Sequence, residues 1–351
     1  MKNFFVVTVC SLLSASIALA ETPMQITTQD GNKLSAIMTS PEGPSKGALL
    51  IIQGSGNVGT DGDVSGPFLG QGFGGAKANL SDQLAHRITD AGYSTLRFAK
   101  RGFDNSKELS HQTLPYIIQD AKDAFKALEA SQPGLHYGIV GFSEGASVAI
   151  NMAAEVNAEA LFLISPIVHR FDEAIQYQFK EWPVDLLQNK IKMTADGIFT
   201  GEAIAQSGLT HLPLTPAPWQ MLDPKMRGTL SLNEQLIPFY DNVYQSVLKL
   251  TESPELGPWY RSFLALPPFI DQARAYKGKL YFYTSSEDSQ SFWGWTAADI
   301  SILPIAPTFH LFSGVGHCFS PYEGKLGEIK TSGPFSNELL GTLAADVRSA
   351  F

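Results

Sequence analysis

Short apolar runs alternate along much of the chain with longer stretches in which apolar residues return every three or four positions. The runs are GALLIIQ at 47–53, YSTLRFA at 93–99, HYGIVGF at 136–142 and EALFLIS at 159–165. Apolar runs this short, without alternating polar positions, predict strands buried on both faces of a mostly parallel sheet. Between them, Leu80, Leu84, Ala85 and Ile88 share one helical face within 78–92. Ile117, Ala121, Ala124, Phe125 and Leu128 do the same within 114–130. A further helix is expected over 145–155. Two shorter strands, MQITTQ and KLSAIMTS, are expected ahead of this series, with a turn at Asp30 and Gly31. Strands alternating with helices in this way predict an open α/β sheet covered by helices on both faces.

The rhythm stops after Ser165. Residues 171–276 are rich in proline and large aromatics, among them Trp182, Trp219, Tyr240, Tyr244 and Trp259, and carry helical stretches at 172–182 and 233–250. This segment reads as an inserted helical cap. The sheet pattern resumes with KLYFYTS at 279–285 and PTFHLFS at 307–313, and a closing helix is expected from about Ser336. The domain division that follows is a core of residues 21–170 and 277–351, with a cap of 171–276.

Residues 1–20 read as a secretory signal peptide. Lys2 supplies the positive start, FFVVTVCSLL the apolar centre, and ALA ending at Ala20 a cleavage site. No run is long and apolar enough for a stable membrane anchor, so the expected location is periplasmic or secreted. Cys10 falls within the signal. Cys318 is then the one cysteine of the mature chain, which excludes an intramolecular disulfide and a cysteine-based zinc site. Over 351 residues the net charge is −9, and no basic run offers a face to phosphates, so nucleic acid is not an expected partner. Oligomeric state is not readable from these features.

GFSEG at 141–145 follows an apolar strand and precedes a helix. That context is what the G-x-S-x-G elbow requires: a sharp turn that exposes a serine at the carboxyl edge of a sheet. Ser143 is the candidate nucleophile, and it needs a base held by an acid. His317, in GVGHCFS, lies just past the last expected strand, where catalytic loops of α/β sheets gather. His310 falls inside that strand and reads as packed. Glu287 and Asp288 both follow KLYFYTS; spacing favours Asp288, with Glu287 the alternative. The order Ser143, Asp288, His317 is the nucleophile–acid–base order of one fold.

On GFSEG, GVGH, an acid after the penultimate strand, GSG after the third strand and RFAKRG after the fourth, the mature chain resembles the α/β-hydrolase superfamily, in its serine esterase and peptidase-like branch. The resemblance implies the α/β-hydrolase fold: a mostly parallel central sheet flanked by helices, with an inserted helical cap. Gln53 departs from the pattern, since many relatives carry His before the oxyanion glycine.

Gly54, Gly56 and Gly59 also have G-x-G-x-x-G spacing, as do Gly70, Gly72 and Gly75. A dinucleotide site needs the third glycine to open a helix and an acid about 20 residues on, at the end of a second strand. Neither follows, and no cofactor is expected. An oxyanion loop accounts for the glycines better, with the backbone N–H groups of Ser55 and Glu144 as donors. Asp61, Asp63 and Ser65 begin a calcium-loop pattern, but Gly72 stands where its glutamate should be, and no metal is expected. Trp182, Trp219, Trp259, Trp293 and Trp295 are candidates for an apolar substrate pocket. The expected activity is hydrolysis of carboxylic esters through an acyl-enzyme. The alternatives are a peptidase or amidase on short peptides, and an inactive binding protein on the same fold.

Overall fold

The computed structural model describes residues 20–65, 79–103, 112–207, 228–254, 256–320 and 334–351. Most of residues 1–20, Trp219, and the second glycine triplet at Gly70, Gly72 and Gly75 lie outside them.

The described chain opens with an antiparallel hairpin of β1 (Ala20–Thr27) and β2 (Lys33–Ser40). Its turn places Gly31 at φ 83°, a conformation glycine reaches without a Cβ clash. The first strand begins at Ala20 rather than Met24. Its opening residues are exposed and held by backbone pairing, so they carry no apolar signature.

Next come β3 (Ala48–Ile52) and a two-residue ribbon of β4 (Asn57–Val58) with β5 (Val64–Ser65), inside what the sequence reads as a loop. Then follow α1 (Leu80–Asp90), β6 (Ser94–Phe98), α2 (Leu114–Ser131), β7 (Tyr137–Phe142), α3 (Glu144–Met152) and β8 (Ala160–Ile164).

The segment after β8 contains α4 (Phe171–Gln176), a π-helical turn at Tyr177–Glu181, and α5 (Trp182–Lys190). It continues through β9 (Ile198–Thr200), α6 (Gly201–Ser207), β10 (Thr229–Ser231) and a second π-helical turn at Leu232–Leu236. It ends with α7 (Ile237–Leu250), α8 (Gly257–Leu264) and α9 (Phe269–Ala275). The chain closes with β11 (Lys279–Ser285), α10 (Trp293–Ile300), β12 (Thr308–Phe312) and α11 (Asn337–Ala350).

The main sheet runs β1-β2-β6-β3-β7-β8-β11-β12. β2 is antiparallel to both neighbours, and every pair from β6 to β12 is parallel. Side-chain alternation along each strand builds two cores. Leu50, Ile52, Ile139, Leu161 and Leu163 pack with α2 and α3 on one face. Leu49, Ile51, Val140, Phe162 and Ile164 pack with α1 and α11 on the other. Each strand is therefore apolar on both sides, the origin of the unbroken apolar runs.

The segment between β8 and β11 is not wholly helical, since β9 and β10 pair as a small antiparallel ribbon. Trp182, Leu186, Leu187, Phe199, Leu230 and Tyr240 form a third apolar cluster of its own. Its flanks join the main core instead: Phe171 and Ile175 of α4, Trp259 and Phe263 of α8, and Phe269 of α9 belong to the cluster that holds α2 and α3. Cap-like packing is thus concentrated in the middle of the segment.

Candidate active site

β3 leads through α1 to β6 on one side, while β7 lies on its other side, so the sheet changes winding direction there. A crevice opens at the carboxyl ends of strands at such a point. Gly54 and Ser143 both emerge into it. A Cβ built on Gly54 would stand 3.4 Å from Ser143 Cβ.

Ser143 sits between β7 and α3 with φ 54° and ψ −118°, a strained conformation for any residue other than glycine. The neighbouring glycines make that turn possible. A Cβ on Gly141 would meet the Gly145 carbonyl oxygen at 2.5 Å, and one on Gly145 would meet the Ile52 carbonyl oxygen at 2.2 Å. The start of α3 is therefore pressed directly against the end of β3. The Ser143 backbone N–H donates to the Ile164 carbonyl at 2.8 Å, fixing the turn to β8.

His317 Nε2 lies 3.0 Å from Ser143 Oγ, and His317 Nδ1 lies 2.9 Å from both oxygens of Asp288. All three side chains are buried. A carboxylate accepts only, so Nδ1 carries the proton and Nε2 is left to accept from the serine hydroxyl. Asp288 is fixed in turn. Its Oδ1 accepts the backbone N–H groups of Gln290 at 2.7 Å and Ser291 at 3.0 Å. Glu287 turns away, and its Oε2 accepts from Ser286 Oγ at 2.5 Å and from the Gly314 N–H at 3.1 Å. The structure thus brings Ser143, His317 and Asp288 together and leaves Glu287 apart.

Several supports carry little sequence signal. Ser165, at φ 47°, donates through Oγ to the His317 carbonyl at 2.8 Å. Ser285 Oγ donates to the Val315 carbonyl in the same loop. Tyr177, on the π-helical turn, donates to the Asp288 carbonyl at 3.0 Å. Burial and the nearby Asp288 charge hold that phenol protonated. The position of Ser165 at a strand end beside the site was the one available hint. Nothing marks Tyr177 in the sequence.

Glu144, first residue of α3, is wholly buried. Its carboxylate pairs with Lys100 Nζ and accepts the indole N–H of Trp259 at 2.7 Å. Two charged residues from RFAKRG and GFSEG thus meet beside the serine. Arg101 has a structural place: its Nε donates to Asp120 at 2.8 Å and its Nη1 to Asp30 at 3.0 Å. Gln53 has a bracing part, donating through Nε2 to the carbonyls of Gly59 at 2.7 Å and Phe98 at 3.1 Å. That bond ties the glycine loop to the end of β6. Among the described residues, the backbone N–H groups of Ser55 and Glu144 have no hydrogen-bond acceptor.

Four of the five tryptophans lie among the described residues. Trp259 faces Glu144, while Trp295 stacks on His169 at 4.4 Å and packs beside Tyr177 at 5.3 Å. Trp182 belongs to the third apolar cluster, against which Trp295 also packs. Trp293 lies at the start of α10 beside Phe292.

Cys318, next to His317, is fully buried, and burial pushes its thiol well above the usual range, which keeps it from competing as a nucleophile. His310, expected to be packed, bonds Asp346 at 2.8 Å and stacks on Tyr283. Glu21, Asp82 and His86 come close enough to suggest a cation site. The guanidinium of Arg97 already pairs with both carboxylates, 2.7 Å from Glu21 and 3.0 Å from Asp82, so a metal ion fits poorly. Asp61 lies 3.4 Å from the same guanidinium, and Asp63 accepts the Asn79 N–H at 3.2 Å. The two acids of the calcium-like pattern thus serve the fold.

Residues 71–197 match the family described as serine aminopeptidase, S33; the match spans Ser143 but neither Asp288 nor His317. No curated protein sequence matches the chain. Among solved structures, DcsB in complex with its substrate analogue is similar at a TM-score of 0.54 and 16% identity, over 95% of this chain and 100% of that one. A highly thermostable carboxyl esterase from Bacillus coagulans, in complex with glycerol, gives 0.53 and 13%, over 95% and 99%. An esterase from Pyrococcus furiosus gives 0.50 and 13%, over 94% and 90%. At such identities the structural likeness establishes the fold. Sheet order, the Ser143 elbow and these likenesses agree on an α/β-hydrolase fold, and residues 71–197 are similar to the serine aminopeptidase, S33 family.

Proposed function

We propose that this protein is an exported carboxylic ester hydrolase that works through an acyl-enzyme on Ser143. The observation that carries the reading is the unbroken contact chain Ser143–His317–Asp288 at the carboxyl ends of the parallel strands. Ser143 Oγ attacks the ester carbonyl while His317 Nε2 takes its proton. The tetrahedral oxyanion is received by the backbone N–H groups of Ser55 and Glu144. His317 then protonates the departing alcohol. Water, activated by the same imidazole, releases the acid and restores the serine. Asp288 holds the imidazole in the reactive tautomer and stabilises its charged form. These steps need only side chains, backbone donors and water. The residues between β8 and β11 supply the cap, and its aromatic side chains supply apolar substrate surface.

A second reading, peptide hydrolysis, has the S33 aminopeptidase match in its favour. An aminopeptidase needs a carboxylate free to hold a substrate ammonium. Glu144, the carboxylate adjacent to the nucleophile, is already engaged by Lys100 and Trp259, which favours the ester reading. Matched p-nitrophenyl esters and p-nitroanilides separate the two. Acetate, butyrate or octanoate esters should show the higher kcat/KM, and a preference for anilides would select the peptidase.

Export rests on the signal-like sequence of residues 1–20. Among the described residues, no helix is long and apolar enough to cross a membrane. N-terminal sequencing of the mature protein should find Glu21 first, a cleavage that retains the Glu21 contact with Arg97. An intact Met1 on exported protein would rule out the cleavage.

A further inference from the structure

We propose that Lys100 and Glu144 are positioning residues for the oxyanion hole, an inference that rests on the serine hydrolase reading above. The hole has two halves on different segments. Ser55 lies on the loop after β3, and Glu144 opens α3. Lys100 touches both segments. Its backbone N–H donates to the Val58 carbonyl at 2.9 Å, within the β4–β5 ribbon that continues the Ser55 loop. Its ammonium pairs with the Glu144 carboxylate.

The remaining contacts stiffen the same frame. Gln53 Nε2 bonds the Gly59 carbonyl on the glycine loop and the Phe98 carbonyl two residues before Lys100. Trp259 Nε1 takes the second Glu144 oxygen at 2.7 Å. Glu144 has 0% exposure and Lys100 5%. Glu144 thus holds both partners at the first residue of α3, and the next residue, Gly145, is wedged against the carbonyls of Ile52 and Gln53.

A buried ion pair is a poor device for stability, because taking both charges out of water offsets most of their attraction. It is a good device for fixing geometry, since each charged group accepts few alternative arrangements. Backbone donors act on the transition state only when they are already aimed at the oxyanion. A pair that holds both donor segments is therefore expected to act on kcat more than on substrate binding.

The test is steady-state kinetics on a p-nitrophenyl ester with Lys100→Met, Glu144→Gln and the double variant, together with thermal melting. Each single variant strands a buried charge, and the double variant removes both. The double variant should recover much of the melting temperature lost by the singles. Its kcat should stay roughly 100- to 1,000-fold below wild type, the range seen when an oxyanion donor is lost, with KM changed less than about threefold. Affinity for a trifluoromethyl ketone, which places a hemiketal oxyanion in the hole, should fall in step with kcat/KM. Wild-type kcat in the folded double variant overturns the proposal. If the double variant does not fold, the nearly isosteric Glu144→Gln decides: a kcat loss above tenfold at constant KM supports positioning, and wild-type kcat refutes it. Fluorophosphonate labelling of the wild-type protein separates the two levels. Failure to label Ser143 or turn over ester removes the hydrolase reading itself. Normal wild-type chemistry with an equally active double variant removes only the positioning claim.

Discussion

Ser143→Ala is expected to lower kcat for a p-nitrophenyl ester by about 10⁶-fold, the loss found when the nucleophile of a serine triad is removed. Six decades correspond to about 8 kcal/mol of barrier. The loss is this large because the alanine leaves His317 and Asp288 with no proton to move, so the three groups fail together. The substitution should leave the fold intact. Among the described residues Ser143 Oγ has its hydrogen bond with His317, and its backbone bonds to Ile164 and Ala146 do not involve the hydroxyl. The strained φ of 54° is kept, because alanine has the same Cβ as serine. Turnover by purified wild type and variant, with circular dichroism as the check on folding, measures the effect.

Asp288→Asn is expected to cost roughly 10⁴-fold in kcat, and Glu287→Gln less than about threefold. An asparagine amide can donate to Nδ1, which moves the imidazole proton to Nε2 and blocks the pathway from the serine. At position 288 the effect is direct, since both carboxylate oxygens sit 2.9 Å from Nδ1. At position 287 the side chain serves Ser286 and Gly314, outside the chain of proton transfer. Comparable losses in both variants would show that the two adjacent acids share the task.

Much of this was readable from the residues. Strand runs such as GALLIIQ are apolar throughout because both sheet faces are covered, and GFSEG stands where strand gives way to helix. His317 and Asp288 were reachable because each closes a recognisable strand. Spacing from the strand end already favoured Asp288 over Glu287, and the contact with His317 falls on Asp288 while Glu287 bonds Ser286 and Gly314. Lys100 and Glu144 were opaque. Charged residues are ordinarily solvated, and only the three-dimensional meeting of RFAKRG with GFSEG shows that these two are buried together. The β4–β5 ribbon and α10 were missed because two-residue strands and a helix opening on WGW lack a periodic apolar pattern. Trp182 and Trp259 of the inserted segment were both candidates for an apolar pocket in sequence. In space Trp259 braces the nucleophile turn while Trp182 packs a separate cluster.

The central claim, that Ser143 is the nucleophile, is tested most directly by treating the mature protein with a fluorophosphonate and locating the adduct by peptide mass spectrometry. The proposed mechanism predicts one covalent adduct, on Ser143, formed in step with loss of ester turnover and absent from Ser143→Ala. Full inactivation with the adduct elsewhere, or unmodified Ser143 in an enzyme that still hydrolyses ester, would contradict it.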